Sequence, residues 1–320
     1  MFVRLMAGAA GLALSFAAGV ASAQDYPTRP IAITVPFAAG GPTDTVARTV
    51  ADAMAKHLPG ASIVVENTAG AGGTIGVGKV ARAKADGYSL LVFHIGMATA
   101  PSLYRKLQYN PLEDFEFIGM INEVPMTIMV KNDLPAKNMT ELVPYLKANA
   151  SKVTLANAGI GAASHLCGLM FQSAIGQELV TVPYKGTAPA MADLMGGQVD
   201  LLCDQTTNTT PQIKAGKVKA VAITSPKRIP SLPDLPTMIE QGHKDFDISI
   251  WHGMYAPKGT PKPVIDKLVA ALQKALEETD GYKAVSGTPP KPFGPKDHER
   301  LDPQNVFLGV WKDGRVVKLQ

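Results

Sequence analysis

Two loops of small residues stand where the chain could hold an anion. The first, from Val35 to Asp44, joins a short apolar run to a helical pattern, with Gly41 placed to cap that helix and Pro42 to begin it. The second, Asn157 to His165, consists mostly of Gly and Ala and also precedes a helical pattern. The N–H groups that begin a helix lack intrahelical partners and favour negative charge. The loops therefore predict two carboxylate sites, or, alternatively, two connections in which glycine only makes the turn.

Three side chains near these loops have roles that the sequence suggests. Asp44 counts against an anion site as a net charge, because an acid in the first turn satisfies the helix dipole itself, so its side chain must point sideways. Ser164 is a good N-cap for the second helix. Asp204 follows an apolar run and would lie at the carboxyl end of a strand, where it could accept a hydrogen bond from a ligand amine, hydroxyl or amide, or could cap a loop.

Other motifs give no support for catalysis. A glycine-rich stretch at 73–80 imitates a phosphate-binding loop, but Val80 occupies the place of the Mg²⁺-binding Ser or Thr. Ile75 breaks the spacing of a dinucleotide-binding fingerprint, and no nucleophile elbow, zinc-protease motif or EF-hand loop occurs. Ser164 and His165 are neighbours and would point about 100° apart on a helix. We therefore expect no catalytic residue, no metal site and no cofactor.

The elements that must position the two loops alternate along the chain. β-Branched runs predict strands at Ile31–Val35, Ile63–Glu66, Leu90–Phe93, Met126–Val130, Val153–Ala156, Val199–Leu202, Val218–Ile223 and Ile248–Tyr255. Helical periodicity predicts helices at Thr43–His57, Thr74–Ala85, Thr140–Ala148, Ser164–Ile175, Pro189–Met195 and Pro263–Leu276. This alternation is typical of an α/β fold with a parallel sheet between two layers of helices.

Two extended stretches, Ile118–Lys131 and Phe246–Ala256, predict strands that cross between two lobes. The chain would leave one lobe on the first and return on the second, which makes the second lobe an insertion of normal domain size. We expect lobe 1 to comprise residues 24–126 and 253–320 and lobe 2 to comprise residues 127–252. A ligand cleft would then lie between the lobes.

Composition and the N-terminus indicate an exported globular protein. The 31 basic and 27 acidic residues nearly balance among 320, which gives no case for a nucleic-acid partner. Arg4, an uncharged apolar run and Ala21-Ser22-Ala23 predict a signal peptide at residues 1–23, with an uncleaved anchor as the alternative. In an oxidising compartment the two cysteines, Cys167 and Cys203, could form a disulfide or remain buried thiols, and composition favours neither.

Ordered motifs from Tyr26 to about Glu278 resemble the Bug family of periplasmic solute receptors, the extracytoplasmic components of tripartite tricarboxylate transporters. They include Tyr26-Pro27-Thr28-Arg29-Pro30, the first loop, Gly70-Ala71-Gly72-Gly73, Asp86-Gly87-Tyr88, Ser164-His165-Leu166, Val182-Pro183-Tyr184-Lys185-Gly186, Gly196-Gly197-Gln198-Val199-Asp200, Leu232-Pro233-Asp234-Leu235-Pro236-Thr237 and Ala256-Pro257-Lys258-Gly259-Thr260-Pro261. The chain departs from the family pattern beyond Glu278, where a Pro-rich segment replaces the expected strand and final helix. Either this lineage ends differently or the reading frame shifts near Asp280, which puts in doubt the outer face of lobe 1.

The resemblance implies a two-lobed, type II-like periplasmic binding fold, a Cys167–Cys203 disulfide and a non-catalytic receptor. It would deliver a small di-, tri- or aromatic carboxylate to the small and large membrane subunits of a permease. A sensor kinase as partner and an exported hydrolase are the alternatives. The residues that we expect at the ligand are Phe37, Ala39, Gly40, Gly41, Pro42, Thr43, Asp44, His94, Met97, Asn157, Ala158, Gly159, Gly161, Ala162, Ala163, Ser164, His165 and Asp204.

Overall fold

The computed structural model describes residues 26–278 and, as backbone, the strands at 309–312 and 315–318. The predicted signal peptide at residues 1–23 and most of the Pro-rich C-terminal segment lie outside the described residues. The strands are β1 (Ile31–Val35), β2 (Ile63–Asn67), β3 (Ser89–His94), β4 (Phe115–Val130), β5 (Thr154–Asn157), β6 (Val180–Pro183), β7 (Leu201–Gln205), β8 (Lys219–Ile223), β9 (Ser249–Pro257), β10 (Gly309–Lys312) and β11 (Arg315–Lys318). The helices are α1 (Pro42–Ala55), α2 (Thr74–Ala81), α3 (Gly96–Leu103), α4 (Met139–Asn149), α5 (Ala163–Ile175), α6 (Thr187–Met195), α7 (Thr206–Lys214) and α8 (Lys262–Glu278).

The sequence pattern identified most of these elements but missed five of them. All eight predicted strands and all six predicted helices are present, with ends that shift by a few residues or, for β4, extend well beyond the prediction. The missed elements are β6, β10, β11, α3 and α7. α3 contains Pro101, and α7 is rich in Thr with Pro211 inside it, so both have low intrinsic helix propensity. Their tertiary surroundings, rather than their local sequence, stabilise these two helices.

The main sheet has parallel outer parts and an antiparallel centre. Its strand order is β2-β1-β3-β9-β4-β7-β5-β6, and β8 also pairs with β4. β1 is parallel to β2 and β3, and β5 is parallel to β6 and β7, as the alternating pattern predicted. The 16-residue strand β4 pairs first with β9 and then, from Met126 onward, with β7 and β8. β4 and β9 are therefore the crossing strands that the sequence predicted.

Two separate apolar cores lie on either side of these crossing strands. The first core includes Ile31 of β1, Phe93 of β3 and Leu268 of α8, and the second includes Leu146 of α4 and Phe171 of α5. Each large side chain that is fully buried in this way stabilises the fold by about 1.5–3 kcal/mol. We call β1–β3, α1–α3 and α8 the first lobe, and β5–β8 and α4–α7 the second lobe. The residue boundaries predicted for the lobes stay a prediction.

A disulfide joins Cys167 of α5 to Cys203 of β7, with the two Cα atoms 6.1 Å apart. The bond that the family resemblance implied is thus confirmed. It ties the second predicted ligand-binding helix to the strand that ends beside Asp204. Within residues 26–278, none of the helices combines the length and the apolar character that crossing a bilayer requires.

Candidate functional site

The first loop brings the start of α1 to the carboxyl edge of the sheet. Gly41 is the N-cap of α1 and Pro42 stands at its first position, as predicted. Gly40 has a φ of +80°, which glycine adopts without strain, and this lets the chain turn sharply from β1 into the helix. Thr43 and Asp44 follow in the first turn and are buried. The N–H groups of this turn have no intrahelical acceptor, so the turn presents donors and a partial positive charge.

The Asp44 carboxylate is fully hydrogen-bonded to neighbouring protein groups. It accepts hydrogen bonds from the Gly40 N–H at 2.9 Å, from the Arg48 guanidinium at 2.9 and 3.0 Å, and from Asn67 Nδ2 at 2.9 Å. Burial alone would raise the pKa of Asp44, but these hydrogen bonds and the Arg48 charge outweigh it and lower the pKa. Asp44 is therefore ionised and is neutralised by Arg48 of its own helix, in the sideways orientation that an anion site at α1 requires.

The second loop brings the start of α5 to the same region. Its N-cap is Ala162, not Ser164 as the sequence suggested, because the helix begins at Ala163 and places Ser164 inside the first turn. The Ser164 hydroxyl accepts instead from the Ala158 N–H at 2.8 Å and braces the loop. Asn157 Oδ1 accepts from the Gly159 N–H at 2.9 Å and braces it a second time. The side chains of this loop thus hold its shape and leave the helix N-terminus uncapped.

The two loops face each other across a cavity between the lobes. Eleven of the predicted residues line it, and two that the prediction missed, Thr187 and Gln205, complete the lining. The predicted lining residues are Phe37, Gly41, Pro42, Thr43, Asp44, His94, Ala158, Ala162, Ala163, Ser164 and Asp204. The other predicted residues lie in the same loops or, for Met97, in α3, outside the lining; they are Ala39, Gly40, Met97, Asn157, Gly159, Gly161 and His165.

Thr187 and Gln205 bring two further helices to the cavity. Thr187 is the first residue of α6, and Gln205 is the N-cap of α7. The approach of α6 is close, because a Cβ added at Gly41 would lie 3.4 Å from Thr187 Oγ1. The only local feature that could have indicated Thr187 is the preceding Gly186, which marks a turn before the helix. No local feature indicated Gln205, because α7 itself was not predicted. Four helix N-termini therefore converge on one small space.

Asp204 differs from Asp44 in that one of its oxygens is unpaired. It is fully buried, Oδ2 accepts from Asn208 Nδ2 at 2.6 Å, and Oδ1 finds no hydrogen-bond partner among the described residues. Burial raises the pKa of Asp204 to about 6, against smaller opposing effects of the nearby donors of Asn208, Gln205 and Thr187. The Oε1 atom of Gln205 is also buried without a partner in the described chain. Two unpaired acceptors thus belong to adjacent lining residues.

A pair of buried histidines forms the floor below the first loop. His94 lies opposite His252 on the neighbouring strands β3 and β9, and its ring stacks on Phe37 at a centroid distance of 5.0 Å. His252 lies 2.8 Å from Asn122 Oδ1 through Nδ1 and 3.1 Å from Thr43 Oγ1 through Nε2. Burial lowers the pKa of His252 to about 3 and that of His94 well below its usual value. Both rings are therefore neutral at physiological pH and add no cation to the site.

The cavity has the electrostatics of an anion site that lacks a basic side chain. In the described part of the chain, no Lys or Arg lines it, and its lining contains two carboxylates. The helix N-termini supply partial positive charge there. The cavity has room for roughly one water molecule. No group of three or more His, Cys, Asp or Glu within the described residues is arranged to hold a metal ion.

Comparisons with known proteins agree with this architecture. The family described as "Tripartite tricarboxylate transporter family receptor" matches residues 46–293. The solved structure of the periplasmic binding protein BugD is 62% identical, covers 79% of this chain and 85% of its own, and superposes with a TM-score of 0.78. MatC from Rhodopseudomonas palustris, solved with bound malate, is 40% identical, with coverages of 81% and 88% and a TM-score of 0.78.

A second R. palustris protein, solved with adipate, is 33% identical, with coverages of 80% and 85% and a TM-score of 0.76. The family match spans more than half of the chain, and the neighbours share its fold. The chain therefore belongs to the tripartite tricarboxylate transporter receptor family, whose members are periplasmic solute-binding receptors of the Bug type.

Proposed function

We propose that this protein captures a small organic carboxylate outside the cytoplasm and delivers it to the membrane subunits of a tripartite tricarboxylate-type permease. The observation that carries the proposal is the convergence of four helix N-termini, those of α1, α5, α6 and α7, on one buried cavity without a basic side chain. Family membership and two neighbours that hold malate and adipate support it. No observation on this chain favours a signalling partner.

The carboxylate would be held by backbone donors from both lobes. The N–H groups at the start of α1 come from the first lobe, and those at the start of α5 come from the second. A carboxylate that accepts from both gains charge-assisted hydrogen bonds only when the lobes are close together. Ligand binding therefore stabilises the closed arrangement, and β4 and β9, the strands that cross between the lobes, serve as the hinge.

The lobes must move apart to admit a ligand. The present cavity has room for about one water molecule, and a four-carbon dicarboxylate has nine or so non-hydrogen atoms. Contacts between the lobes also close the cavity, since Ala158 and Ala162 of the second loop pack against the core of the first lobe. The conformation described here is thus a closed one, and ligand entry requires an opening at the hinge.

The unpaired acceptors narrow the class of ligand further. Asp204 Oδ1 and Gln205 Oε1 are both buried and unpaired, and leaving such an atom unpaired costs about 1–3 kcal/mol. A ligand that brings a hydrogen-bond donor to them recovers this energy, and an ammonium group also neutralises the Asp204 charge. We therefore expect a carboxylate that carries an ammonium or hydroxyl group to bind more tightly than the same skeleton without it.

Three ligands with one four-carbon skeleton test both parts of the proposal. Succinate, malate and aspartate differ only in carrying a hydrogen, a hydroxyl or an ammonium group at one carbon. Thermal-shift and calorimetric titration of the mature chain should give binding in the order aspartate, malate, succinate, with adipate and citrate as further probes. A ligand present at 100 times its Kd adds about 2.7 kcal/mol to the stability.

Each outcome of this titration has a distinct meaning. If none of the five compounds raises the melting temperature at millimolar concentration, the receptor proposal is wrong. If succinate binds at least as tightly as malate and aspartate, the role of Asp204 as an acceptor is wrong, although the receptor proposal stands. If NMR of a bound carboxylate shows its conversion to a product, the non-catalytic part of the proposal fails.

Export and delivery need a test in cells. N-terminal sequencing of the protein from the periplasmic fraction should begin at Gln24, which follows the predicted cleavage site. Uptake of the labelled carboxylate should require both this protein and the small and large membrane subunits. Uptake that continues unchanged after this chain is deleted would contradict the delivery step.

A further inference from the structure

A second contact between the lobes lies outside the ligand cavity. It joins the glycine-rich turn Gly70–Gly73 of the first lobe to Gly159 and Ile160 of the second lobe, and Tyr104 stands beside both. None of these residues lines the ligand cavity. The contact therefore lies outside the cavity that the two loops enclose.

The contact is made by backbone against backbone and has no room for a side chain at Gly72. A Cβ added there would lie 1.8 Å from Ile160 O, a distance that real Cβ atoms do not reach. A Cβ at Gly159 would in turn lie 2.9 Å from Gly72 N. Because the obstructing atoms belong to the main chain of the other lobe, a side-chain rotation cannot relieve the overlap.

Tyr104 adds a polar link across the same contact. Its hydroxyl oxygen lies 2.7 Å from Ala71 O in its own lobe and 2.7 Å from Ile160 O in the second lobe. A hydroxyl has one proton, so it donates to one carbonyl at a time, and the acceptor in the second lobe is present only when the lobes are closed. A second link of the same kind is the hydrogen bond from the Ala38 N–H to Lys185 O at 3.0 Å.

We infer that Gly72, Tyr104 and Ile160 form a latch that exists only in the closed form and raises ligand affinity without contacting the ligand. This inference rests on the proposed receptor function, because it requires that closure accompanies binding. Any contact that stabilises only the closed form increases its population, and the apparent affinity rises by the same factor. Gly72 is then a positioning residue. Its position requires glycine because Ile160 approaches closely, and not only because the turn has a positive φ.

The test compares two glycine-to-alanine variants with nearly equal backbone cost. Gly72 has a φ of +60° and Gly176 has a φ of +64°, so alanine meets similar left-handed strain at both positions. A Cβ at Gly176, however, meets nothing within 4 Å. Gly72→Ala and Gly176→Ala should therefore lower the melting temperature of the unliganded protein similarly, while only Gly72→Ala obstructs closure.

The probe is whichever of succinate, malate, aspartate, adipate and citrate binds the wild type most tightly. We expect Gly72→Ala to weaken its binding by about tenfold or more and Gly176→Ala to leave it unchanged. The loss should lie in a faster dissociation rate, because the latch forms after the ligand has entered. Small-angle X-ray scattering of Gly72→Ala saturated with the probe should show a larger radius of gyration than the wild type gives.

A second variant separates the backbone contact from the tyrosine. The Cβ at Gly72 would also lie 2.8 Å from Tyr104 Oη, which is the movable end of a side chain. Tyr104→Phe alone should weaken binding by no more than about threefold, because the single hydroxyl proton already has Ala71 O as an acceptor when the lobes are open. The double variant Gly72→Ala/Tyr104→Phe should bind as weakly as Gly72→Ala, since the overlap with Ile160 O persists.

The outcomes separate a failed latch from a failed receptor. If the wild type binds a carboxylate and Gly72→Ala binds it equally well, the latch is wrong and the receptor proposal stands. If the double variant regains wild-type affinity, the backbone contact is not the obstacle and the latch is again wrong. If the wild type binds none of the five probes, the receptor proposal fails and the latch, which rests on it, fails with it.

Discussion

Asp44 and Asp204 occupy similar places in the fold and have opposite environments. Each is a buried acid at the carboxyl edge of the sheet, beside the start of a helix, and each lines the cavity between the lobes. Asp44 accepts four hydrogen bonds and has a lowered pKa, whereas Asp204 Oδ1 has no partner in the described chain and the pKa of Asp204 is raised. The difference indicates that a satisfied carboxylate maintains its loop, while an unsatisfied one is available to a ligand.

The region around Asp204 has a different source of rigidity from the region around Asp44. The first loop is held by the hydrogen bonds of Asp44 itself, which reach Arg48 in the helix and Asn67 at the end of β2. The second is held by the Cys167–Cys203 disulfide, one residue before Asp204. A covalent link thus allows the neighbouring carboxylate to remain unpaired without loosening the site.

Removing the disulfide should have the largest effect on stability. The bond spans 36 residues, and loop-closure entropy assigns it about 4 kcal/mol. Urea unfolding of Cys167→Ala/Cys203→Ala, compared with the oxidised wild type, should show a loss of about that size. The reduced wild type serves as the control that keeps both side chains. If the double variant and the reduced wild type both unfold at the same urea concentration as the oxidised wild type, the disulfide is not what makes the second region rigid.

Asp44→Ala should also destabilise the protein, by about 2 kcal/mol. It removes the acceptor of two partly buried hydrogen bonds, from the Gly40 N–H and from Asn67 Nδ2, at about 1 kcal/mol for each bond. The loss of the ion pair adds little, because the Arg48 side chain is 50% exposed. Arg48→Ala is the matched control and should cost less than about 1 kcal/mol in the same urea titration. Equal effects of the two variants would show that the ion pair with Arg48, and not the hydrogen bonds from Gly40 and Asn67, holds the loop.

The sequence predicted the features of these two regions that depend on neighbouring residues. It did not predict the contacts between residues that are far apart in the chain. A strand, a glycine turn and a helix follow one another in the chain, so both loops and the sideways orientation of Asp44 could be predicted from neighbouring residues. The partner Asn67 lies 23 residues from Asp44, and no local pattern connects the two. Gln205 was missed because it precedes a Thr-rich helix that tertiary packing stabilises. Thr187 was missed because the predicted helix begins two residues later, at Pro189. Whether a buried carboxylate is satisfied depends on such packing and could not be predicted from residue type.

Asp204→Asn should raise the stability of the unliganded protein at pH 7.5, by about 2 kcal/mol. A shift of the pKa from 3.8 to about 6 corresponds to a penalty of about 3 kcal/mol for holding the ionised acid in the folded state, and the loss of the charged hydrogen bond from Asn208 offsets part of the gain. The amide keeps the shape of the side chain and an acceptor for Asn208. Urea unfolding of both proteins measures the difference.

The pH dependence of that difference identifies its cause. Because the folded-state pKa of Asp204 is raised, the penalty is absent below about pH 4, where the acid is protonated in both states, and it is complete above about pH 6. The wild type should therefore lose stability relative to Asp204→Asn by about 1 kcal/mol for each pH unit between these values. His94 and His252, whose lowered pKa values destabilise the fold as the pH falls, are present in both proteins and cancel. A difference that stays constant from pH 4 to pH 7.5 would mean that Asp204 is not an ionised, unsatisfied acid, and the contrast with Asp44 would fail.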